Sequence, residues 1–313
     1  KVIEKRVTYY PLRFPKHSWK EKAQVFICSA KTLINNERKQ IPLYEEIIRK
    51  PLEDFKPDVI MVFGSEMPFG LVAGLTDIPV ILHIQGILNP YLNAYLPPFV
   101  SWKEYKSIGN GWKNRLHKRI ERKMWMVSCA RETEICKRVM NYFGRTDWDY
   151  RVTQILHPGA NYLFASEVLR PVFYQTMERA LPNKLTIITT ISSPLYKGYD
   201  LVLKTAKMLS EKGVFFEWKC YGNINPSIVE KQLAIRHEKV NVSLCGVASA
   251  EQLCDAICHA TVYVHTSYID NSPNSLCEAQ ILGCTPIATY VGGVPSLIKN
   301  GETGYLVPAN DPY

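Results

Sequence analysis

Residues 260–305 alternate strand patterns with helix patterns, and this alternation constrains the fold more than any other feature of the sequence. Short β-branched and aromatic runs predict buried strands, whereas turn residues and closing glycines mark the helix ends. A repeated strand–loop–helix unit is typical of a parallel α/β sheet, whose ligands bind past the carboxyl ends of the strands. We therefore expect a ligand site in the loops 267–275 and 291–294. The predicted elements are strands 261–266 and 286–290 and helices 275–282 and 294–299.

Two carboxylates, Asp270 and Glu278, stand in this stretch with seven residues between them. The spacing places one in the loop and the other in the first part of the helix. Backbone N–H groups from Asn271 to Leu276 would attract an anionic or hydroxyl-rich ligand to the same place. A structural alternative is equally open at this point. Ser275-x-x-Glu278 is a capping-box pattern, in which the glutamate serves only its own helix end.

The order of residues after Asp270 resembles the nucleotide-sugar site of the family 4 retaining glycosyltransferases. Their signature is Glu-x7-Glu followed by a Gly-Gly turn, and here the first acid is Asp. The matching residues are Asp270-x7-Glu278, Gly283, Pro286, Gly292-Gly293 and Asn300-Gly301-x-x-Gly304-Tyr305-Leu306-Val307. The resemblance implies an α/β chain of the GT-B fold, in which two Rossmann-like parallel-sheet domains face a cleft. It implies an acceptor-side domain at 1–165 and a donor-binding domain at 170–313.

The implied reaction is sugar transfer from a UDP- or GDP-linked donor to a glycan or lipid-linked acceptor, with retention of anomeric configuration. Glu278 would bind the ribose hydroxyls, Asp270 the donor sugar, and Lys197, directly before Gly198, the diphosphate. The family usually has an Arg five or six residues before this Lys, and Ile191 and Ser192 stand there instead. Neither a cofactor nor a metal is implied, because the site loops hold no Asp-x-Asp motif. The implied donor-binding residues are Ser192, Gly222, Val247, Asn271, Ser272, Ser275 and Leu276.

The first half of the chain carries a weaker form of the same resemblance. Strand patterns at 58–63 and 79–83 lead to the text His83-Ile84-Gln85-Gly86. In the family a His or Asp is common just before such a glycine, so His83, Gln85 and Gly86 are acceptor-side candidates. A glutamine cannot act as a base, but it can form a hydrogen bond with an acceptor hydroxyl. The departing phosphate would then take the acceptor proton.

Residues 103–123 hold eight basic side chains, which are interleaved with the aromatic residues Trp102, Tyr105 and Trp112, within a chain of formal net charge +9. We predict a basic helix here that binds an anionic membrane surface. A solvated helix face is the alternative. Nucleic acid is not predicted as a partner, because no zinc-finger spacing, RNA-binding sheet motif or recognition-helix pattern is present.

Chain length and composition limit the classes of protein to which this sequence can belong. With 313 residues the chain can form two domains, and no apolar run approaches the roughly 20 residues that span a bilayer. Nine scattered cysteines suit reduced thiols in a cytoplasmic protein, peripheral on the inner face of the membrane if the basic helix binds there. Cys254, Cys258 and His259 have a spacing that could suggest a metal, but buried cysteines on an apolar helix face explain it better.

Further expectations concern the connections and the ends. We predict strands at 126–130 and 151–156, a flap at 88–100 and an interdomain hinge at 161–170. Comparison with the family pattern predicts missing segments before Lys1 and after Tyr313, and slow or absent turnover in consequence. Three other functions share parts of the pattern: a GT-B epimerase or phosphorylase, a glycoside hydrolase with two carboxylates, and a catalytically silent sugar- or nucleotide-binding module.

Overall fold

A computed structural model describes residues 2–4 (backbone only), 7–12, 24–107, 111–166, 168–175, 178–192 and 195–313. The described residues fall into two compact units. Unit 1 lies within Lys1–Leu92, Asn110–Arg145 and Asp149–Ala165. Unit 2 lies within Asn93–Gly109, Thr146–Trp148 and Ser166–Tyr313. The predicted domain ranges 1–165 and 170–313 stay predictions.

Unit 1 is built on a parallel sheet whose strands follow one another in chain order, β3-β4-β5-β6. Val62, Leu82 and Tyr142 are buried on one side of this sheet. A long helix, α1, begins at Ser29, whose side-chain oxygen accepts a hydrogen bond from Thr32 N, and it ends at Lys56 in the left-handed conformation. A two-stranded antiparallel sheet, β1-β2, lies near the start of the chain. The elements of the first half of the chain, of which α3 belongs to unit 2, are β1 Val2–Glu4, β2 Val7–Tyr9, α1 Ala30–Phe55, β3 Ile60–Phe63, a 3-10 helix Pro68–Gly74, β4 Val80–His83, α2 Leu88–Asn93, α3 Trp102–Ser107, α4 Trp112–Cys136, β5 Asn141–Gly144, α5 Asp147–Leu156 and β6 Asn161–Phe164.

Unit 2 contains a parallel sheet of order β12-β11-β10-β7-β8-β9. When β7 is counted as strand 1 and the sheet is read from β9, the order is 3-2-1-4-5-6, as in the doubly wound fold. The strand order reverses between β7 and β10. The cavity that forms at such a reversal is where ligands bind in open α/β sheets. The elements are a 3-10 helix Pro171–Tyr174, β7 Leu185–Thr190, a 3-10 helix Leu195–Lys197, α6 Tyr199–Glu211, β8 Phe216–Tyr221, α7 Ser227–Leu233, a 3-10 helix His237–Lys239, β9 Val242–Gly246, α8 Ala250–Cys258, β10 Val262–His265, α9 Asn274–Ile281, β11 Thr285–Thr289, a 3-10 helix Val294–Ser296 and β12 Tyr305–Val307.

Both faces of the sheet in unit 2 are buried. Ile187 of β7 packs into a cluster with Val202 and Trp218, while the next residue, Ile188, packs into a second cluster with Ile257 and Leu276. Successive residues of one strand thus point to opposite faces of the sheet and pack into two different cores, as expected for a parallel sheet covered on both faces. The expectation of an α/β chain with two parallel-sheet domains is confirmed.

Two predicted strands of the first half were wrong, and two predicted irregular segments contain regular structure. The predicted strand 126–130 lies inside α4, and the strand that follows is Asn141–Gly144. The predicted strand 151–156 lies in α5, where Asp149 Oδ2 accepts a hydrogen bond from Arg145 N at 2.9 Å and so satisfies a backbone donor at the helix start. The predicted hinge 161–170 begins with β6, and the predicted flap 88–100 begins with α2.

The basic stretch 103–123 is divided between α3 and α4, with residues 108–110 outside the described residues. Two of its lysines have structural roles. Lys118 is buried, and Lys123 donates hydrogen bonds to the carbonyls of Val25 and Cys28. In the described part of the chain, every helix is too short or too polar to cross a membrane.

Candidate functional site

The loop after β7 passes close to the end of β10. Gly198 has φ +79°, and a Cβ at this position would collide with the carbonyl oxygen of Thr266. Glycine is therefore required here both for the left-handed conformation and for the close approach. Thr266 Oγ1 donates a hydrogen bond to the carbonyl of Lys197 at 2.9 Å. These contacts fix the lysine backbone at the reversal point of the sheet.

Lys197 and Asp270 form an ion pair across this loop junction. The ammonium Nζ lies 2.6 Å from Asp270 Oδ2, and both side chains are mostly buried. His265, the last residue of β10, places Nε2 3.3 Å from the same oxygen. Burial by itself would raise the pKa of Asp270, but the nearby imidazole of His265 and the charge of Lys197 outweigh it and hold the pKa well below 3.8. Asp270 is thus a fixed anion over the whole physiological range.

The glycine pair Gly292-Gly293 lets a neighbouring loop lie against the backbone of Asp270. Gly292 has φ +49°, and a Cβ there would collide with the carbonyl oxygen of Asp270. Gly293 N donates to that same carbonyl at 3.0 Å. The Gly-Gly turn therefore acts as a support that holds the acidic loop in place.

Glu278 is buried on α9 and is held by a residue from another part of the chain. Arg170 Nε and Nη2 each lie 2.8 Å from one of its two carboxylate oxygens, in a bidentate arrangement. The capping-box alternative is wrong, because the residue at the N-cap position is Pro273, and no side chain caps this helix.

A cavity of about 290 Å³ opens at the reversal point of the sheet. Five residues that the sequence singled out line it: Ser192, Lys197, Gly222, Val247 and Ser275. Thr190, Ile191, Tyr221, Ala248, Leu253 and His265 complete the wall. The other three predicted donor-binding residues lie elsewhere. Asn271 and Ser272 are buried in the acidic loop, while Leu276 packs in the core and its N–H donates to the carbonyl of Pro273.

Sequence reasoning missed two residues of this site. Arg170 supplies a positive charge, although the family pattern expected one near Ser192. The position of His265 at the carboxyl end of a predicted strand was a usable signal, since parallel strands bring such residues to the ligand edge of the sheet.

The acceptor-side candidates lie in unit 1. His83 is the last residue of β4 and is buried, with its ring centroid 5.5 Å from that of Phe63 and 6.3 Å from that of Phe143. Gln85 is exposed in the loop that follows, directly before Gly86.

Two patterns that could suggest a metal have structural roles instead. Cys254 and Cys258 belong to the hydrophobic core, and His259 Nδ1 bonds the carbonyl of Asp255 on the same helix. Asp147-Trp148-Asp149 does form an Asp-x-Asp triplet, but it stands in the first turn of α5, where Asp149 bonds Arg145 N.

Known proteins resemble this chain in sequence and in fold. Residues 182–313 match the family model of the group 1 glycosyl transferases. The D-inositol 3-phosphate glycosyltransferase of Streptomyces scabiei is 40% identical over 62 residues, which cover 20% of this chain and 14% of that protein. The GPI3 subunit of the phosphatidylinositol N-acetylglucosaminyltransferase of Saccharomyces cerevisiae is 23% identical over 227 residues, covering 71% of this chain and 48% of that subunit. The chain therefore spans less than half the length of these relatives.

A solved structure, Anabaena Alr3699/HepE in complex with UDP, superposes with a TM-score of 0.59 at 15% identity. The match covers 87% of this chain and 69% of that one. The similarity concerns the fold, which in both chains consists of two parallel-sheet α/β domains. Residues 182–313 thus resemble the group 1 glycosyl transferases, and the two-domain architecture of the chain matches that of GT-B glycosyltransferase structures.

Proposed function

We propose that this chain is the catalytic part of a family 4 retaining glycosyltransferase, which transfers a sugar from a nucleotide sugar to a glycan or lipid-linked acceptor. One observation carries the proposal. Lys197, Asp270 and His265 meet beside a cavity at the reversal point of a doubly wound sheet, with Ser192 and Ser275 on its wall. A fixed cation at the carboxyl ends of parallel strands suits a diphosphate ligand.

The roles of the side chains follow from their charges. The Lys197 ammonium would neutralise the phosphate as the sugar–phosphate bond breaks. Asp270, kept ionised by His265 and Lys197, would accept hydrogen bonds from the donor sugar. Glu278, with Arg170 on both oxygens, would hold the ribose hydroxyls. The acceptor hydroxyl would lose its proton to the departing phosphate, so that no protein base is required for retention.

Names of the relatives guide the choice of ligands. UDP is present in the Anabaena structure, which makes UDP sugars the first donors to test and GDP sugars the second. Two relatives are named for inositol-containing acceptors, one of them a lipid. A lipid-linked acceptor would require the protein to work at a membrane surface, and the basic face of α4 is our candidate for that contact.

Calorimetric titration of the 313-residue chain with UDP and GDP tests the nucleotide site. Incubation with a UDP sugar and candidate acceptors, followed by NMR of the product anomeric proton, tests transfer and retention. An inverted product would contradict the retaining mechanism. Nucleotide binding without turnover would favour a silent binding module, and conversion of the donor sugar in the absence of acceptor would favour an epimerase.

A further inference from the structure

Lys197 and His265 approach the same oxygen of the buried carboxylate of Asp270. Lys197 Nζ donates a hydrogen bond to Asp270 Oδ2 at 2.6 Å, and Ser267 Oγ donates to the same atom at 3.4 Å. His265 Nε2 lies 3.3 Å from Oδ2, yet this buried nitrogen forms no hydrogen bond with a described residue. Asp270 therefore has one bonded cation and, beside it, an imidazole that is close enough to replace that cation.

The lysine is the partner that a ligand can draw away. Lys197 and His265 both line the cavity of about 290 Å³, but 21% of the lysine side chain is exposed, against 4% of the histidine. The lysine backbone is fixed by the hydrogen bond from Thr266 Oγ1 and by the close approach of Gly198 to Thr266. The ammonium can thus turn toward an anion in the cavity, while His265 stays beside Asp270.

A diphosphate in the cavity would compete with Asp270 for this ammonium, because both form strong charge-assisted hydrogen bonds. A buried carboxylate that loses its cation is strongly destabilised. A proton on His265 removes this cost, since the imidazolium brings a positive charge and an Nε2–H donor to the same oxygen. The negative charge of the diphosphate favours the same protonation.

The other titratable groups of the surrounding elements do not take part in this exchange. Two further acids have cations of their own, and burial raises the pKa of the surrounding tyrosines, so that their hydroxyls stay neutral. The ion pairs are Asp200 with Lys204 and Glu278 with Arg170, and the tyrosines are Tyr196, Tyr221, Tyr263 and Tyr268. In the described ion pairs, Lys197 and His265 are the partners of Asp270.

We propose that Asp270 exchanges Lys197 for His265 when the donor diphosphate binds, and that His265 takes up a proton from solvent in this step. Lys197 then pairs with the phosphates. His265 is a positioning residue that keeps Asp270 ionised and in place for the donor sugar. The inference rests on the proposed function for the identity of the ligand, but the exchange of partners also predicts how the unliganded chain behaves.

Calorimetric titration with UDP, in buffers of high and low ionisation enthalpy at about pH 7.5, counts the protons taken up on binding. The wild type should take up more protons than His265→Gln, with an excess that approaches one proton per UDP. Protons that bind UDP itself cancel in this comparison. The control His117→Gln, exposed on α4, should match the wild type. Equal uptake by the wild type and His265→Gln overturns the inference.

Lys197→Met tests the exchange without a ligand. Asp270 should then pair with protonated His265, and this stabilising contribution is complete at low pH and lost as the proton leaves at high pH. In urea unfolding, Lys197→Met should therefore cost more stability at about pH 9 than at about pH 6. In the His265→Gln background the cost should be the same at both values. Lys197→Gln replaces Lys197→Met if that variant does not fold.

The two measurements separate this inference from the proposed function. UDP binding with equal proton uptake in both chains overturns the exchange and leaves the proposed function standing. Absence of UDP binding contradicts the proposed function, and the unfolding measurements then decide the exchange by themselves. A cost of Lys197→Met that is equal at the two pH values overturns the exchange whether or not UDP binds.

Discussion

Arg170 and Glu278, separated by 108 positions in the chain, form a bidentate ion pair with both contacts at 2.8 Å. The guanidinium also lies 4.8 Å from the ring of Phe173, while nearly half of its surface remains exposed. The carboxylate is almost fully buried. Glu278 can therefore give up one of its two hydrogen bonds from Arg170 and accept one from a ligand hydroxyl instead. Its charge stays paired with the guanidinium.

The first prediction concerns this acid. Glu278→Gln should weaken UDP binding by about 1.5–3 kcal/mol, because hydrogen bonds from the ribose would lose a charged acceptor. Calorimetry measures the affinity, and Glu302→Gln, on an exposed turn, is the matched control. Unaltered UDP affinity together with a lower melting temperature would assign Glu278 a purely structural role with Arg170.

The second prediction concerns the phosphates. Lys197→Ala should reduce the affinity for UDP at least tenfold and leave the affinity for uridine almost unchanged, since only the diphosphate offers charge to the ammonium. Titration of both ligands into the variant and into the exposed control Lys212→Ala gives the comparison. Equal losses for UDP and uridine would show that the lysine only supports the loop around Asp270.

The third prediction is a dependence of stability on pH. The folded-state pKa of Asp270 lies below its ordinary value of 3.8, so its contribution to stability is complete above that value and is lost as the pH falls toward the folded-state pKa. Asp270→Asn should therefore flatten the acid limb of the stability profile below about pH 4. Urea unfolding at pH 6 and in steps below pH 4 measures it, with the exposed Asp255→Asn as control. Parallel acid limbs for the wild type and Asp270→Asn would refute the assignment.

The fourth prediction concerns the membrane. Trp112, Arg115, Arg119 and Arg122 recur at helical spacing on the exposed part of α4, and Trp112 is 69% exposed. Replacing the three arginines by Glu should abolish binding to anionic vesicles at low salt, since each basic residue contributes about 1 kcal/mol at such a surface. The triple variant Lys39→Glu/Arg49→Glu/Lys50→Glu, with the same change of charge on α1, should still bind. Equal binding of the wild type to neutral and anionic vesicles would contradict the hypothesis.

Local patterns predicted the second half of the chain well and the first half poorly. The strand predicted at 261–266 spans Val262–His265, because a β-branched and aromatic run before turn residues is typical of a strand. The run at 126–130 has a similar composition, yet it lies inside α4. A short apolar segment cannot reveal whether it belongs to a strand or to a buried helix. Contacts from elsewhere stabilise that helix, such as Arg131 with Glu37, 94 positions away.

The residues of the candidate site also differ in whether local sequence reveals them. The family resemblance identified Lys197 before Gly198 and Gly222 after β8 as candidates, because glycines mark the motifs of that family. The side chains that pair with Asp270 and Glu278 could not be predicted from the sequence. Arg170 has no motif around it, and His265 meets Asp270 through the path of the loop between β10 and α9.

The order of the strands in unit 2 also determines when the site can form during folding. Strand β10 pairs with β7 through Val262 and Ile187, which are far apart in the sequence. Non-local parallel pairings of this kind form slowly, since the intervening chain must first be ordered. Ser192 and Ser275, which both line the cavity, come together only after that pairing. A nucleotide that binds there can therefore slow unfolding of the completed unit, but it cannot speed the early steps of folding.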